Sequence, residues 1–136
     1  MFFISSYDRA RILYTGDLSL NALIATVLVI IAATITVLAI KQFKINQTTV
    51  NPLRPDTATS LVTTGIYKLS RNPMYLGMIL LCLSSVVFSG SAWCLIAVAA
   101  FIAFIVRFQV IPEERAMASL FGKDFAKYKS KTRRWF

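Results

Sequence analysis

The stretch NPMYLGMILLCLSSVVFSGSAWCLIAVAAFIAFIV, residues 72–106, contains no charged side chain. Wound as one helix at about 1.5 Å per residue it would exceed about 50 Å, whereas the hydrocarbon core of a bilayer is about 30 Å thick. It must therefore turn back on itself, and Ser89-Gly90-Ser91 is the corner that the residue types allow. The reading is two spans, residues 74–88 and 92–111, paired as a helical hairpin. Asn72-Pro73 marks the start of the first, because Asn is a good N-cap and Pro suits the first helical position.

Working towards the N-terminus, residues 18–40 form another uncharged run, long enough to span a membrane as a helix. A cleaved signal peptide fits it poorly. The apolar run is too long, and Asp8, Arg9, Arg11 and Asp17 before it cancel rather than form a basic region. Composition agrees with three spans: the chain is 57% hydrophobic and 15% charged, with mean hydropathy +0.64, far more apolar than a soluble domain. The expected fold is an all-α integral membrane protein of about three transmembrane helices. The last two form the hairpin, and a cytoplasmic amphipathic helix follows over residues 113–136. Its 136 residues leave room for one domain.

The net charge of +9 is unevenly placed. Residues 1–17 sum to zero and are read as a short interfacial segment. The loop of residues 41–73 carries Lys41, Lys44, Arg54, Lys68 and Arg71 against Asp56, and the tail from Arg107 is strongly basic. By the positive-inside rule, loop and tail lie in the cytoplasm and the N-terminus outside. Basicity beside apolar spans marks the anionic inner leaflet rather than nucleic acid. Within the loop, Pro52 and Pro55 interrupt any helix. A loop this long in so small a protein is functional or disordered.

The chain has no histidine, which excludes a Ser-His triad, His-ligated metal and histidine base chemistry. Cys82 and Cys94 fall inside spans and read as packing residues, so no metal site is expected.

Two clusters carry chemistry. Arg71-Asn72 sits at the N-terminus of the second span, where free N–H groups favour an anion; the plainer reading is an interface anchor with Tyr67 and Tyr75 in the aromatic belt. Pro112 is read as ending the third span, which puts Glu113-Glu114 in the first turn of the tail helix; there the plainer role is complementing the helix dipole. The hairpin returns the two clusters to the same membrane depth. One favours anions and the other cations, as a zwitterion with an extra positive centre requires.

The motifs are more specific than the charges. Leu61-Val62-Thr63-Thr64-Gly65-Ile66-Tyr67, Arg71-Asn72-Pro73-Met74-Tyr75-Leu76-Gly77, Glu113-Glu114, Phe121-Gly122, Tyr128 and Arg133-Arg134-Trp135 together resemble the isoprenylcysteine carboxyl methyltransferase family. The likeness is to its short prokaryotic members, over roughly residues 46–136, and the phosphatidylethanolamine methyltransferases and sterol reductases are related. The resemblance implies S-adenosyl-L-methionine as cofactor, in a pocket at the cytoplasmic ends of the last spans. Its implied contacts are Leu61, Val62, Tyr67, Arg71, Asn72, Pro73, Met74, Tyr75 and Glu113, extending to Thr59 and Ser60. The catalytic candidates are Arg107 and Glu114. The chain departs from the eukaryotic pattern at Asn72, where those enzymes have His, and at Gln109, where they have a substrate-side Arg; Arg107 is the nearest arginine.

Attack by a carboxylate on a sulfonium methyl needs alignment but no base, so the reading is methylation of a lipophilic, isoprenylcysteine-like carboxylate. The acceptor, a lipophilic small molecule or prenylated substrate, would enter from the bilayer of a prokaryotic cytoplasmic membrane. A phospholipid or small-lipid N-methyltransferase is the enzymatic alternative; an amine must lose a proton, which here falls to Glu113, Glu114 or a tyrosine. A small cation transporter would need an acid within its spans, and none is present. A non-catalytic assembly subunit would show small-residue faces, for which Ala25, Ala32, Ala33 and Ala39 are scattered candidates. A sterol-reductase-type enzyme would need a longer chain. A homodimer completing the bundle is the expected partner arrangement, with membrane lipids around it.

Overall fold

The structure, a computed structural model, describes residues 18–48 and 58–136. The interfacial segment read into residues 1–17 lies outside these, as does the loop stretch holding Pro52, Arg54, Pro55 and Asp56.

Helix α1, Leu18–Ile45, is built from apolar helix formers and threonines. Thr26, Thr34 and Thr36 each donate a hydroxyl hydrogen to a carbonyl four residues back, at 2.8, 2.8 and 2.9 Å. That satisfies the polar groups within the helix, as a hydrocarbon environment demands. Ala25, Ala32 and Ala39, seven residues apart, form its buried seam. Leu23, Ile30 and Val37, on the same repeat, are 60–62% exposed. The alanine seam packs against α2, Pro73–Ser89, most tightly where a Cβ on Gly77 would run into Thr36 Oγ1 and the Ala32 carbonyl. Three of the four alanines considered as an assembly face are thus used within the chain; Ala33 is exposed.

The corner lies where the sequence placed it. Gly90 takes the left-handed conformation (φ 62°) that closes α2, and its N–H reaches the carbonyls of Val86 and Val87. Helix α3, Cys94–Ile105, follows.

The end of the third span differs from the sequence reading. Pro112 does not stop the helix: α3 continues through a π-helical turn, Val106–Val110, into α4, Ile111–Lys131. The Ile111 N–H bonds to the Val106 carbonyl, five residues back. In an α-helix, Pro112 would leave the Phe108 carbonyl unbonded and press its ring against it. The wider turn just before Pro112 relaxes that conflict. Glu113 and Glu114 therefore continue the helical rod beyond the apolar stretch rather than begin a separate helix.

The tail also differs. At Gly122 the backbone takes φ 45°, ψ −114°, a glycine conformation that breaks the axis of α4. The break swings Phe125 and Tyr128 back onto Ala39, Val62 and Tyr67 to form the core. Leu120, ahead of the break, is 45% exposed. The helix stops at Lys131, and Thr132 begins an extended strap that returns to the start of α2.

The described residues are all-helical in architecture. Leu18–Ile45 and Cys94–Lys131 are long and apolar enough to cross a membrane. Pro73–Ser89, at 17 residues, is a shorter apolar helix. Large side chains on α1 and α3, including Leu23, Ile30, Ile96 and Phe104, stay exposed, an arrangement suited to lipid contact.

Candidate active site

A cavity of about 400 Å³ lies where the end of α1, the 3₁₀ turn Gly65–Lys68, the start of α2 and the α3–α4 rod converge. Its size falls in the range of small-molecule pockets. The rod contributes every fourth residue: Phe101, Ile105, Gln109, Glu113 and Met117 all line the cavity. In an uninterrupted α-helix a step of four overshoots a full turn by about 40°, so Phe101 and Met117 would point about 160° apart. The π-turn between them absorbs roughly one residue's rotation and returns the lower half of the rod to the cavity face.

Most residues singled out in the sequence meet here. Leu61, Val62 and Tyr67 enter from the loop and 3₁₀ turn, Arg71, Asn72, Met74 and Tyr75 from the head of α2. Glu113 and Glu114 enter from α4. Ser60 also lines the cavity and donates its hydroxyl hydrogen to the Asn46 carbonyl. Pro73 is buried beside the cavity without lining it. Thr59 is exposed and bonded to Gln47 and Thr48. Arg107 is exposed, its guanidinium 5.7 Å from the Phe108 ring centre; the cavity residue on that stretch is Gln109.

The two glutamates have opposite surroundings. Glu113 Oε1 accepts a hydrogen bond from the Tyr75 hydroxyl. Burial raises the Glu113 pKa above the usual carboxylate value, and the Tyr75 hydrogen bond offsets only part of that. Glu114 also feels burial. It is nevertheless held below the usual value by the Arg134 hydrogen bonds and the charges of Arg71 and Arg134. Arg134 grips it with two aligned bonds, Nε to Oε1 at 3.1 Å and Nη2 to Oε2 at 2.9 Å.

Arg71 is left less satisfied. Its side chain is 9% exposed, and Nη1 stands 3.0 Å from Glu114 Oε1. Yet among the described residues neither Nη1 nor Nε has a hydrogen-bond acceptor. The contact with Glu114 is therefore an ion pair by charge and distance, without an aligned N–H···O bond. Buried donors without acceptors are rare and each calls for an explanation.

Asn72 corrects the sequence reading. It occupies the N-cap position, but its side chain makes no capping bond; Nδ2 donates instead to the Arg134 carbonyl at 3.3 Å. The aromatic wall of Phe43, Phe101, Phe104 and Phe125 was not singled out. The signal available was four aromatics on the cavity sides of three helices, indistinguishable in sequence from lipid-facing ones.

With this geometry in hand, the comparisons with known proteins are informative. A profile of the phospholipid methyltransferase family matches residues 20–124, well over half of the chain. The chain belongs to that family. The match covers the cavity-lining residues other than Phe125 and Tyr128 and agrees with the motif resemblance to the isoprenylcysteine enzymes. As a phospholipid methyltransferase family member with two long apolar helices, the protein is membrane-associated. An uncharacterized protein of Haemophilus influenzae is 37% identical over 62 residues, 46% of this chain and 98% of that protein. No solved structure matches the chain.

Proposed function

We propose that the protein transfers a methyl group from S-adenosylmethionine to a lipophilic acceptor, at the cytoplasmic end of three spans in a prokaryotic inner membrane. The observation that carries this reading is Arg71: a nine-tenths buried guanidinium lining a cavity in a methyltransferase-family chain, with two donors unspent. A cofactor carboxylate could accept from Nε on the edge that it shares with Nη2, in the charge-assisted geometry that Arg favours. Glu113 and Tyr75 supply the complementary end, accepting from ribose hydroxyls or an ammonium. Tyr67 and Phe43, edge to face at 5.5 Å, give an apolar wall for a base. Donors, acceptors and volume fit the group.

Bound S-adenosylmethionine would supply a methyl on a positively charged sulfur. The chain's own part is to align an acceptor and exclude water. Met78, Phe101 and Phe104 form the apolar side that would receive a lipid entering from the bilayer, and Gln109 offers an amide beside it. A carboxylate acceptor, as in an isoprenylcysteine, requires alignment alone. An amine headgroup is the second reading, favoured by one observation: Glu113 is a half-buried carboxylate in the cavity whose raised pKa suits it to take the departing N–H proton on Oε2, while Oε1 stays bonded to Tyr75.

The experiment is transfer of radiolabelled methyl to a prenylated cysteine and to phosphatidylethanolamine in the same membranes, with calorimetric titration of S-adenosylhomocysteine. A methyl ester is released by alkali as methanol; an N-methyl group is not. Absence of both transfer and S-adenosylhomocysteine binding would overturn the reading.

A further inference from the structure

The strap that follows α4 never enters the cavity, yet its contacts converge on the cavity's cation. The Arg71 N–H donates to the Arg133 carbonyl at 3.1 Å. Ser70 Oγ and Asn72 Nδ2 both donate to the Arg134 carbonyl, at 3.1 and 3.3 Å. Thr132 Oγ1 donates to the Lys68 carbonyl at 3.4 Å. All four bonds join backbone or neighbouring side chains, and none uses the Arg134 guanidinium. That group does something separate: it occupies both oxygens of Glu114.

Two arginines thus compete for one carboxylate. A guanidinium and a carboxylate buried together ordinarily pair fork to fork. Arg71 does not do so with Glu114, because Arg134 already holds both oxygens, and Arg71 is left at ion-pair distance with Nε and Nη1 unbonded. We infer that Arg134 is a positioning residue: by gripping Glu114 from outside the cavity it stops that carboxylate from capturing Arg71, which stays free for the carboxylate end of the ligand. Without Arg134, Glu114 is free to turn onto Arg71 and consume the donors that the ligand needs. This rests on the cofactor reading given above.

The test compares two ligands. S-adenosylhomocysteine carries the amino-acid carboxylate; 5′-methylthioadenosine has the same adenosine and thioether without it. Detergent-solubilised full-length protein is titrated calorimetrically with each. R134A is expected to bind S-adenosylhomocysteine about tenfold or more weakly, the scale of a hydrogen bond to a charged group, and 5′-methylthioadenosine as wild type does. R134K keeps the charge but offers a single ammonium, so its selective loss is expected to lie between the two. It reads the same ratio if R134A fails to fold. A merely structural role would weaken both ligands in parallel, and that result overturns the inference, as does unchanged binding of both. If wild-type protein binds neither ligand, the cofactor reading falls as well; if it binds both and only the selectivity of R134A is missing, the positioning role alone falls.

Discussion

Tyr75, in the first turn of α2, donates its phenolic hydrogen to Glu113, on α4, and so joins the two arms of the hairpin rod across the cavity. The bond crosses between segments whose closeness depends on the Gly90 corner and the π-turn together.

Replacing Glu113 by Gln should separate binding from stability. Loss of a charged acceptor is expected to weaken S-adenosylhomocysteine binding by about 1.5–3 kcal/mol. Burial makes the ionised carboxylate unfavourable in the empty protein, so E113Q should melt at the same temperature or higher. Calorimetry and thermal denaturation measure the two; undiminished affinity would remove Glu113 from the site.

Adjacent glutamates should give opposite pH dependences. Glu114 has a lowered pKa in the fold, so its stabilisation is complete above the unfolded value of 4.5 and is lost as pH falls through the lower folded value. The gap in melting temperature between wild type and E114Q should therefore hold near neutrality and close under strong acid. Glu113, raised in the fold, costs stability when ionised. That cost should be relieved as pH falls through its folded pKa towards 4.5, letting wild type approach E113Q. Parallel curves for both variants would show that the two environments are not as different as the geometry implies.

Asn72 tests the strap rather than a helix cap. N72A removes one neutral hydrogen bond to the Arg134 carbonyl and should cost about 0.5–1.5 kcal/mol. N72D sets a carboxylate against that same carbonyl and should cost more, although Asp is a good cap residue. Because this order now follows from packing alone, the pair of variants reports on the strap and not on an anion in the cavity. Melting temperatures decide it: N72D as stable as wild type would argue for a capping role.

Gly77 sets the distance between α1 and α2. A Cβ there would meet Thr36 Oγ1 and lie 3.1 Å from the Ala32 carbonyl, so G77A should destabilise by about 1–3 kcal/mol, as overpacking does. T36A in the same chain should recover part of the loss by removing the hydroxyl. Additive effects of the two changes in denaturant unfolding would contradict this close approach.

How far the sequence could be read depended on the kind of signal. The corner at Gly90 and the helix start at Pro73 were legible because charge, length and Gly/Pro chemistry act locally. The grouping of Tyr67, Tyr75 and Glu113 was implied by the family resemblance, and Arg71 joined it through its place at a helix N-terminus. Three things were hidden. The π-turn has no local residue code, and a proline at position 112 more often ends a helix than follows a widened turn. Arg107 and Gln109 differ by two residues, and which one faces inward depends on that turn. Arg134 acts through a partner twenty residues away in the chain, a pairing fixed only once Gly122 has redirected the helix.

The widened turn at Val106–Val110 also limits which changes of length the chain can accept. It works as a phase adjuster, storing one residue's worth of rotation between the apolar rod and its polar end. Deleting one residue there would let the helix rewind to regular pitch with everything beyond it in nearly the same phase. The same deletion elsewhere between Phe101 and Glu113 would turn everything beyond it by about 100° and carry both glutamates out of the cavity. Length in this short stretch can therefore change by a residue at the expense of the widened turn, whereas the regular helix beside it has no such slack.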